Sequence, residues 1–296
     1  MVSGVEEEIW ICLLGGTIMG QSLEVFLNQN HVGTVDEIDH LQFRFTYDRN
    51  YAGPSLSVSM PLGSNLVFSG KGVKNWFAGL LPDDDLQKTN LATKLNCSRR
   101  DIALLEKLGA DVPGAIQVLN QGVSPAPIPK TPYRRISEED IGIRLESLKE
   151  DEGAPWIEPG EKWSLGGTQT KIALAYIGGA WYASNGAAAS THIIKPGIGQ
   201  FAHQAVIECA TMRLGSACGI PTAPTRLYRF GETDAIVVDR YDRALRPDGV
   251  VMRFHQEDFC QAVGVAPEKK YATDGGPSPD TFINCAVKPL SSDLGI

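Results

Sequence analysis

Ser164-Leu165-Gly166-Gly167-Thr168-Gln169-Thr170-Lys171 is the stretch on which the reading of this chain turns. A residue without Cβ reaches backbone conformations closed to others, so a glycine pair can turn N–H groups toward an anion. Thr168, Thr170 and Lys171 follow within four residues of the pair, and each can meet a phosphate oxygen. This is not the loop of P-loop NTPases, in which the lysine directly follows a glycine and opens a helix. Here Lys171 leads into the apolar run 172–176, which reads as a strand. A tight turn ending in a surface lysine would carry the same residues.

Downstream, Gly178-Gly179 makes a turn to a second strand at 181–183, and 191–195 forms a third, Thr191-His192-Ile193-Ile194-Lys195, stopped by Pro196-Gly197. A lysine closing an apolar strand, two strands beyond a glycine loop, is the layout by which kinases hold nucleotide phosphates; there the lysine pairs with a glutamate of the next helix. Glu208, in a helix predicted over 205–216, is the candidate partner of Lys195. A lysine snorkelling at a strand edge is the alternative. The strand 235–238 then runs into Asp239-Arg240-Tyr241-Asp242-Arg243, which suits a hinge offering backbone groups to a base, or a strand leaving the core beside an ion-pair network.

Upstream the pattern differs. Residues 23–27 and 43–47 alternate apolar and polar, 32–35 returns after a turn, and 55–60 reads as a further strand ended by Pro61. Val73, Trp76, Phe77, Leu80 and Leu81 fall at helical spacing up to Pro82, helices are predicted over 84–95 and 99–108, and 112–119 returns to strand. The aperiodic, proline-rich 120–132 is a linker. Ser137 begins a helix ending near Lys149, and 256–263 reads as a helix with acid in its first turn. The expected organisation is an extension over 1–18, a β-rich leading domain over 19–119, the linker 120–132, a second domain over 133–280 and an aberrant tail over 281–296.

The bulk numbers exclude several classes. With 296 residues, 43% hydrophobic, the chain can bury two ordinary cores. A net charge of −8 gives no electrostatic footprint for nucleic acid. The acidic runs Glu6-Glu7-Glu8 and Asp83-Asp84-Asp85 read as solvated patches, not as metal sites. None of the six cysteines forms a C-x-x-C pair, which points to a reducing cytoplasm; Cys209, Cys218 and Cys260 read as buried small hydrophobes. No run approaches the roughly 18 apolar residues of a membrane span.

Taken together, the 164–171 loop, 191–196, 238–243 and His255-Gln256-Glu257-Asp258-Phe259-Cys260-Gln261-Ala262, continued by Lys270-Tyr271 and Asp274-Gly275-Gly276-Pro277, resemble HipA-type serine/threonine kinases, the toxin halves of bacterial toxin–antitoxin pairs. Phe77-Ala78-Gly79-Leu80-Leu81-Pro82 and 104–109 resemble the leading domain of that family. The resemblance covers about 22 to 278 and implies an α+β fold: a β-rich leading domain plus a protein-kinase-like N-lobe, with the helical C-lobe largely absent. It implies that Gly166, Gly167, Thr168, Gln169, Thr170 and Lys171 cradle the phosphates of ATP, that Lys195 holds them, and that Asp239, Arg240 and Tyr241 border the adenine. Ser164 matches the serine that family members autophosphorylate to eject the loop. His255 reads as a capping or packing residue.

The resemblance also implies components that this sequence does not show. The family carries its catalytic acid and magnesium ligands in a segment of the sense Asp-Gly-His-x-x-Asn, then a Tyr-Asp pair; neither appears, and Asp280, Asn284 and Asp293 lack the spacing. No metal ligands are therefore assigned, binding of ATP is expected to be weak, and the chain is expected to be inactive as a kinase. Phe259, Ala262 and Val263 would then be short of packing partners. By family, the partners are a small helix-turn-helix antitoxin and a protein substrate of the translation machinery. A non-catalytic module binding nucleotide or the antitoxin, and a pseudogene product, are the alternatives.

Overall fold

The computed structural model describes residues 20–125, 133–186, 188–198, 201 and 203–286. The expected extension over 1–18, most of the linker and the last ten residues of the tail lie outside them.

The alternation in the leading segment produces strands. β1 (Ser22–Leu27), β2 (Asn30–Asp39) and β3 (Gln42–Tyr47) form an antiparallel meander, extended by β4 (Val67–Gly70) beyond β3 and by β5 (Ile116–Asn120) beyond β1. In β3 each second residue, Phe43, Phe45 and Tyr47, is buried, as period two requires when one face packs. Helices α1 (Lys71–Ala78), α2 (Asp85–Lys94) and α3 (Asp101–Leu108) accompany this sheet. α1 lays Val73, Trp76 and Phe77 inward, and Phe77 meets the rings of Phe43 and Phe45. It ends at Ala78, so Leu80 and Leu81 are buried by the turn that follows and not by the helix.

A second sheet, in the order β10-β11-β9-β7-β8-β6, is built from β6 (Tyr133–Arg135), β7 (Ile172–Ile177), β8 (Ala180–Ser184), β9 (His192–Pro196), β10 (Thr225–Phe230) and β11 (Thr233–Asp239). Its pairings are antiparallel. Gly178 and Gly179, both at positive φ, make the two-residue turn between β7 and β8, the conformation that matches strand twist. Helix α4 (Glu138–Glu150) packs on β9–β11, and α5 (Gln204–Ala217) packs on β10 and β11. Alternation along β11 serves both: Ala235 and Val237 join the main core with Ile141 and Leu145 of α4, while Ile236 meets Ala205 and Cys209 of α5. The architecture is α+β. One continuous core joins the two sheets, running from Leu23, Phe45 and Trp76 to Trp156, Trp163, Leu174 and Val237.

Four readings are corrected. Residues 55–60 form no strand; Ser57 and Met60 close a short turn, held because the Tyr47 hydroxyl accepts from the Leu56 N–H and donates to the Met60 carbonyl. Cys218 is exposed at the end of α5, although Cys209 and Cys260 are buried. Asp83 and Asp84 are only partly exposed and have structural partners: Asp84 caps α2 by accepting from the Gln87 N–H, and Asp83 is held in the site described below. The helix predicted at 256–263 is only α6 (Phe259–Val263), because Asp258 and Gln261 form a capping box that starts it at Phe259.

Glu257 does not belong to the first turn of α6. Its carboxylate accepts from the Ser57 hydroxyl at 2.7 Å, the Val58 N–H at 2.9 Å and the Trp76 indole at 2.8 Å. Gln261 Nε2 donates to the Trp76 carbonyl and Asn75 to the Gly264 carbonyl. The 255–264 segment therefore rests on α1 of the leading domain, with Cys260 and Gln261 buried and Phe259 half exposed against Phe282 of α7 (Pro279–Ala286). His255 packs here too, Nε2 against the Leu56 carbonyl. β12 (Arg243–Leu245) and β13 (Val251–Arg253) form a hairpin leading into this segment.

Glu257→Ala strands three donors at once, at a cost of roughly 1–3 kcal/mol. Amide exchange in 258–264 should accelerate about tenfold or more, while that in β1–β3 is unchanged; equal protection in both variants would show that the apolar contacts alone hold the segment.

Candidate nucleotide-phosphate site

The glycine loop is fixed from beneath before it begins. Arg144 of α4 makes paired 2.8 Å contacts with both oxygens of buried Glu161, which also accepts from the Trp163 indole at 2.9 Å. Trp163 then pairs with Asp111 of the leading domain: the Asp111 N–H donates to the Lys162 carbonyl at 3.1 Å, and the Ser164 N–H to the Asp111 carbonyl at 3.0 Å. Ser164 leaves this bridge 2% exposed, its hydroxyl without a protein partner, against an apolar gap lined by Pro82, Trp156, Trp163 and Leu165. A hydroxyl in that position cannot meet a reagent without displacement of the loop.

Gly166 passes so close to the leading domain that a Cβ would stand 3.1 Å from the Gly79 carbonyl. Gly167 takes φ +95°, a conformation that disfavours side chains. Its N–H donates to Asp83 Oδ1 at 3.0 Å. The other Asp83 oxygen accepts from Lys270 at 2.7 Å. Thr168 is exposed at the loop tip, Gln169 reaches the Pro196 carbonyl at 3.3 Å, and Thr170 is buried.

Lys171 is 4% exposed, its ammonium 3.9 Å from the ring centre of Trp156 and 3.4 Å from the Gly167 carbonyl. Burial, then the neighbouring Lys195, push its pKa down to about 7; Asp83 and Glu208 oppose that fall and Lys270 adds to it. Lys195 sits on β9 with Nζ 2.6 Å from Glu208 Oε1 on α5, both half-buried. Gln204, in the first turn of α5, accepts from the Ile198 N–H at 2.7 Å and so closes the connection between β9 and α5. Three lysines and two carboxylates thus surround a loop with exposed polar atoms, an arrangement with the net charge to take up an anion.

The residues assigned to the adenine border divide. Asp239 ends β11, opposite His192, and its Oδ1 meets His192 Nε2 and Arg226, both at 3.1 Å. Tyr241 is 69% exposed, with its hydroxyl donating to Gln256. Arg240 is 5% exposed, and its guanidinium turns to Asp242, Ser190 and the Val112 carbonyl, because an arginine buried here needs carboxylate and carbonyl partners. Its backbone is engaged as well: the N–H donates to the Thr191 carbonyl at 2.9 Å and the carbonyl accepts from the Arg243 N–H at 3.1 Å. Among the described residues no group of three or more His, Cys, Asp or Glu side chains gathers as a metal site, and no helix is long and apolar enough to cross a membrane.

Reading the sequence missed Asp83, Lys270, Asp111 and Trp156. Asp83 was hidden in an acidic run, and only its position directly after the Phe77–Pro82 pattern could have marked it.

Comparison with known proteins is consistent along the chain. Residues 23–119 match the HipA N-terminal domain and residues 163–288 the HipA-like C-terminal domain. Y4mE of Sinorhizobium fredii, named a candidate kinase, is 36% identical over 89% of this chain and 63% of its own length. The serine/threonine-protein kinase toxin HipA of Shewanella oneidensis is 30% identical over 88% of this chain and 59% of its own. A solved complex of Shewanella oneidensis HipA with HipB and operator DNA contains a chain that superposes with a TM-score of 0.67 at 30% identity, over 88% of this chain and 60% of that one. The chain therefore spans about 60% of the length of these relatives. With both family domains present in order and the same fold beneath them, the protein belongs to the HipA-like kinase family.

Proposed function

We propose that this chain carries the nucleotide-holding part of an ATP-dependent serine/threonine protein kinase of the toxin–antitoxin kind. The observation that carries this reading is the glycine loop flanked by buried Lys171 and by the Lys195–Glu208 pair, whose Nζ–Oε1 distance is 2.6 Å. Phosphoryl transfer is largely a matter of positioning and charge, and these are the groups that would position a triphosphate. Lys171 and Lys195 would hold phosphate oxygens, Thr168 and Gln169 would face them from the loop, and the exposed Asp239–Tyr241 edge would border the base. ATP bound there would supply the phosphoryl group, with magnesium, in kinases generally, neutralising its charge. The 296-residue sequence has no Asp-Gly-His-x-x-Asn pattern to orient a hydroxyl or hold that ion. As it stands, the chain binds nucleotide with little dependence on magnesium and transfers nothing. Because the similar Shewanella oneidensis protein is solved with HipB and operator DNA, a small DNA-binding antitoxin is the partner in this reading.

Calorimetric titration with ATP and ADP, with and without magnesium, tests it. Lys195→Ala should weaken binding roughly 10- to 100-fold, the loss of one charge-assisted contact. A native chain that binds no nucleotide would overturn the reading, and a large gain with magnesium would place a metal site that it omits. A Ser164 phosphopeptide formed with ATP alone would contradict the claim that no transfer occurs.

A further inference from the structure

We propose that Asp83, a residue of the leading domain, is the latch that holds the glycine loop closed and ties it to the segment that begins the second lobe. The proposal rests on the reading of the loop as a phosphate site, but its first test does not require nucleotide.

The two carboxylate oxygens of Asp83 face different parts of the chain. Oδ1 accepts from the Gly167 N–H at 3.0 Å, and Oδ2 accepts from Lys270 at 2.7 Å. The Asp83 N–H also points to the Gly167 carbonyl at 3.4 Å, so side chain and backbone hold the same glycine. The side chain is only 10% exposed, which makes these contacts stronger than their surface equivalents.

Pro82 and Asp84 fix where Asp83 stands. Pro82 is buried under the loop, and Asp84 begins α2 by capping it, so Asp83 is held between two anchored neighbours. The residues at either end of the loop are held differently. Ser164 is bound through its N–H to the Asp111 carbonyl, and Lys171 is buried over Trp156. Between them, among the described residues, the side-chain hydrogen bond from the leading domain to the loop backbone is that of Asp83 with Gly167.

Lys270 is the other half of the latch. It follows α6, in the segment anchored on α1 through Glu257 and Gln261. A single carboxylate therefore links loop, leading domain and second-lobe segment. When it lets go, the loop keeps its ends while the Gly167 N–H loses its acceptor, and the cover over the Ser164 hydroxyl loosens with it. Asp83 is a positioning residue: it acts on phosphate through the Gly167 backbone and the Lys270 charge.

Hydrogen exchange on the whole chain without nucleotide tests the latch, with Asp83→Ala, Asp83→Asn and Lys270→Ala compared against the native protein. Asp83→Ala should speed exchange of 166–168 about 10- to 100-fold, the ratio set by loss of a hydrogen bond to a charged group, with β1–β3 unchanged. Asp83→Asn keeps an acceptor for Gly167 and should recover part of that protection. Lys270→Ala should loosen 269–271 and the loop together. Loop exchange in Asp83→Ala within twofold of native, or a Lys270→Ala effect confined to 269–271, would overturn the proposal. Should Asp83→Ala loosen the leading sheet as well, Asp83→Asn decides: faster exchange confined to 166–168 supports the latch, and no change there overturns it. ADP titration of the same proteins separates the two readings. A native chain that fails to bind ADP while Asp83→Ala still frees the loop leaves the latch standing and removes the nucleotide site.

Discussion

Asp111→Ala is expected to lower the unfolding free energy by about 3–5 kcal/mol, the range for removing one partner of a buried ion network. Asp111 is fully buried between the two sheets. Its Oδ1 accepts from Arg243 at 2.9 Å and Arg253 at 3.3 Å, while Oδ2 accepts from the Ser190 N–H at 2.9 Å and hydroxyl at 2.7 Å, with Arg240 at 3.6 Å. Asp242 is the other carboxylate of the cluster, bound to Arg240 and Arg243 and accepting from the Gly114 N–H. Asp111 thus meets three guanidiniums in a buried place, and removing it leaves Arg240 and Arg243 with Asp242 as their carboxylate. Asp111→Asn should cost less, since the amide keeps an acceptor for Ser190 or Arg243.

The same cluster sets an acid limit. Burial alone would push the Asp111 carboxyl up, but Arg243, Arg240 and Arg253 outweigh it and hold the group well below the ordinary carboxylate range. A carboxyl whose folded pKa is depressed contributes stability that is present above its unfolded value, near ~3.9, and is lost as pH falls toward the folded value. Native protein should therefore lose stability below about pH 4 more steeply than Asp111→Asn does. Chemical denaturation at pH 7 and across pH 3–5 measures both effects; a penalty under ~1 kcal/mol for Asp111→Ala would mean that the cluster repacks around the loss.

How legible this molecule was follows from the kind of signal each part leaves. Strands with one buried face, such as 43–47, announce themselves by alternation, and α1 by the spacing of Val73, Trp76 and Phe77. Residues 55–60 carry the same alternation but are bent into a turn by the Tyr47 hydroxyl, a contact between separate stretches of chain that no local pattern records. β6, β10 and β12 were missed because they are short or mostly half-exposed, so their alternation is weak. In the site, the glycine pair, Lys195 and Glu208 were legible because order along the chain is itself a signal. Asp83 and Asp111 were not, because each acts on the loop from about 50 to 85 residues away in sequence and neither stands in a motif. For Arg240 the sequence gives a charged residue after a buried strand, but not the direction in which its side chain turns.

Lys171→Met is expected to make the free protein more stable and to cost it nucleotide binding. The ammonium of Lys171 is buried over Trp156, near Lys195 and Lys270, and burial pushes its pKa down from 10.5 to about 7. The sign follows from the proton count. Below about pH 7 both folded and unfolded chains carry the charge, so the fold bears its full desolvation cost. Between that value and 10.5 the unfolded chain holds a proton that the folded chain has released, so stability rises with pH. Above 10.5 both are neutral and the cost is gone. Methionine fills a similar volume without charge, so its advantage over lysine should be largest near pH 6 and shrink toward pH 10, by up to ~1.4 kcal/mol for each unit of depression. A triphosphate bound as proposed would reverse the balance by giving the ammonium an anionic partner in the same pocket. Binding to the native chain at pH 8 should then take up close to one proton, read by calorimetry in buffers of different ionisation enthalpy, and affinity should fall as pH rises above 7. Lys171→Met should show neither the proton uptake nor the affinity. If it binds ADP within threefold of native with no change in proton count, Lys171 is a buried structural lysine, and the phosphates rest on Lys195 and the loop amides alone.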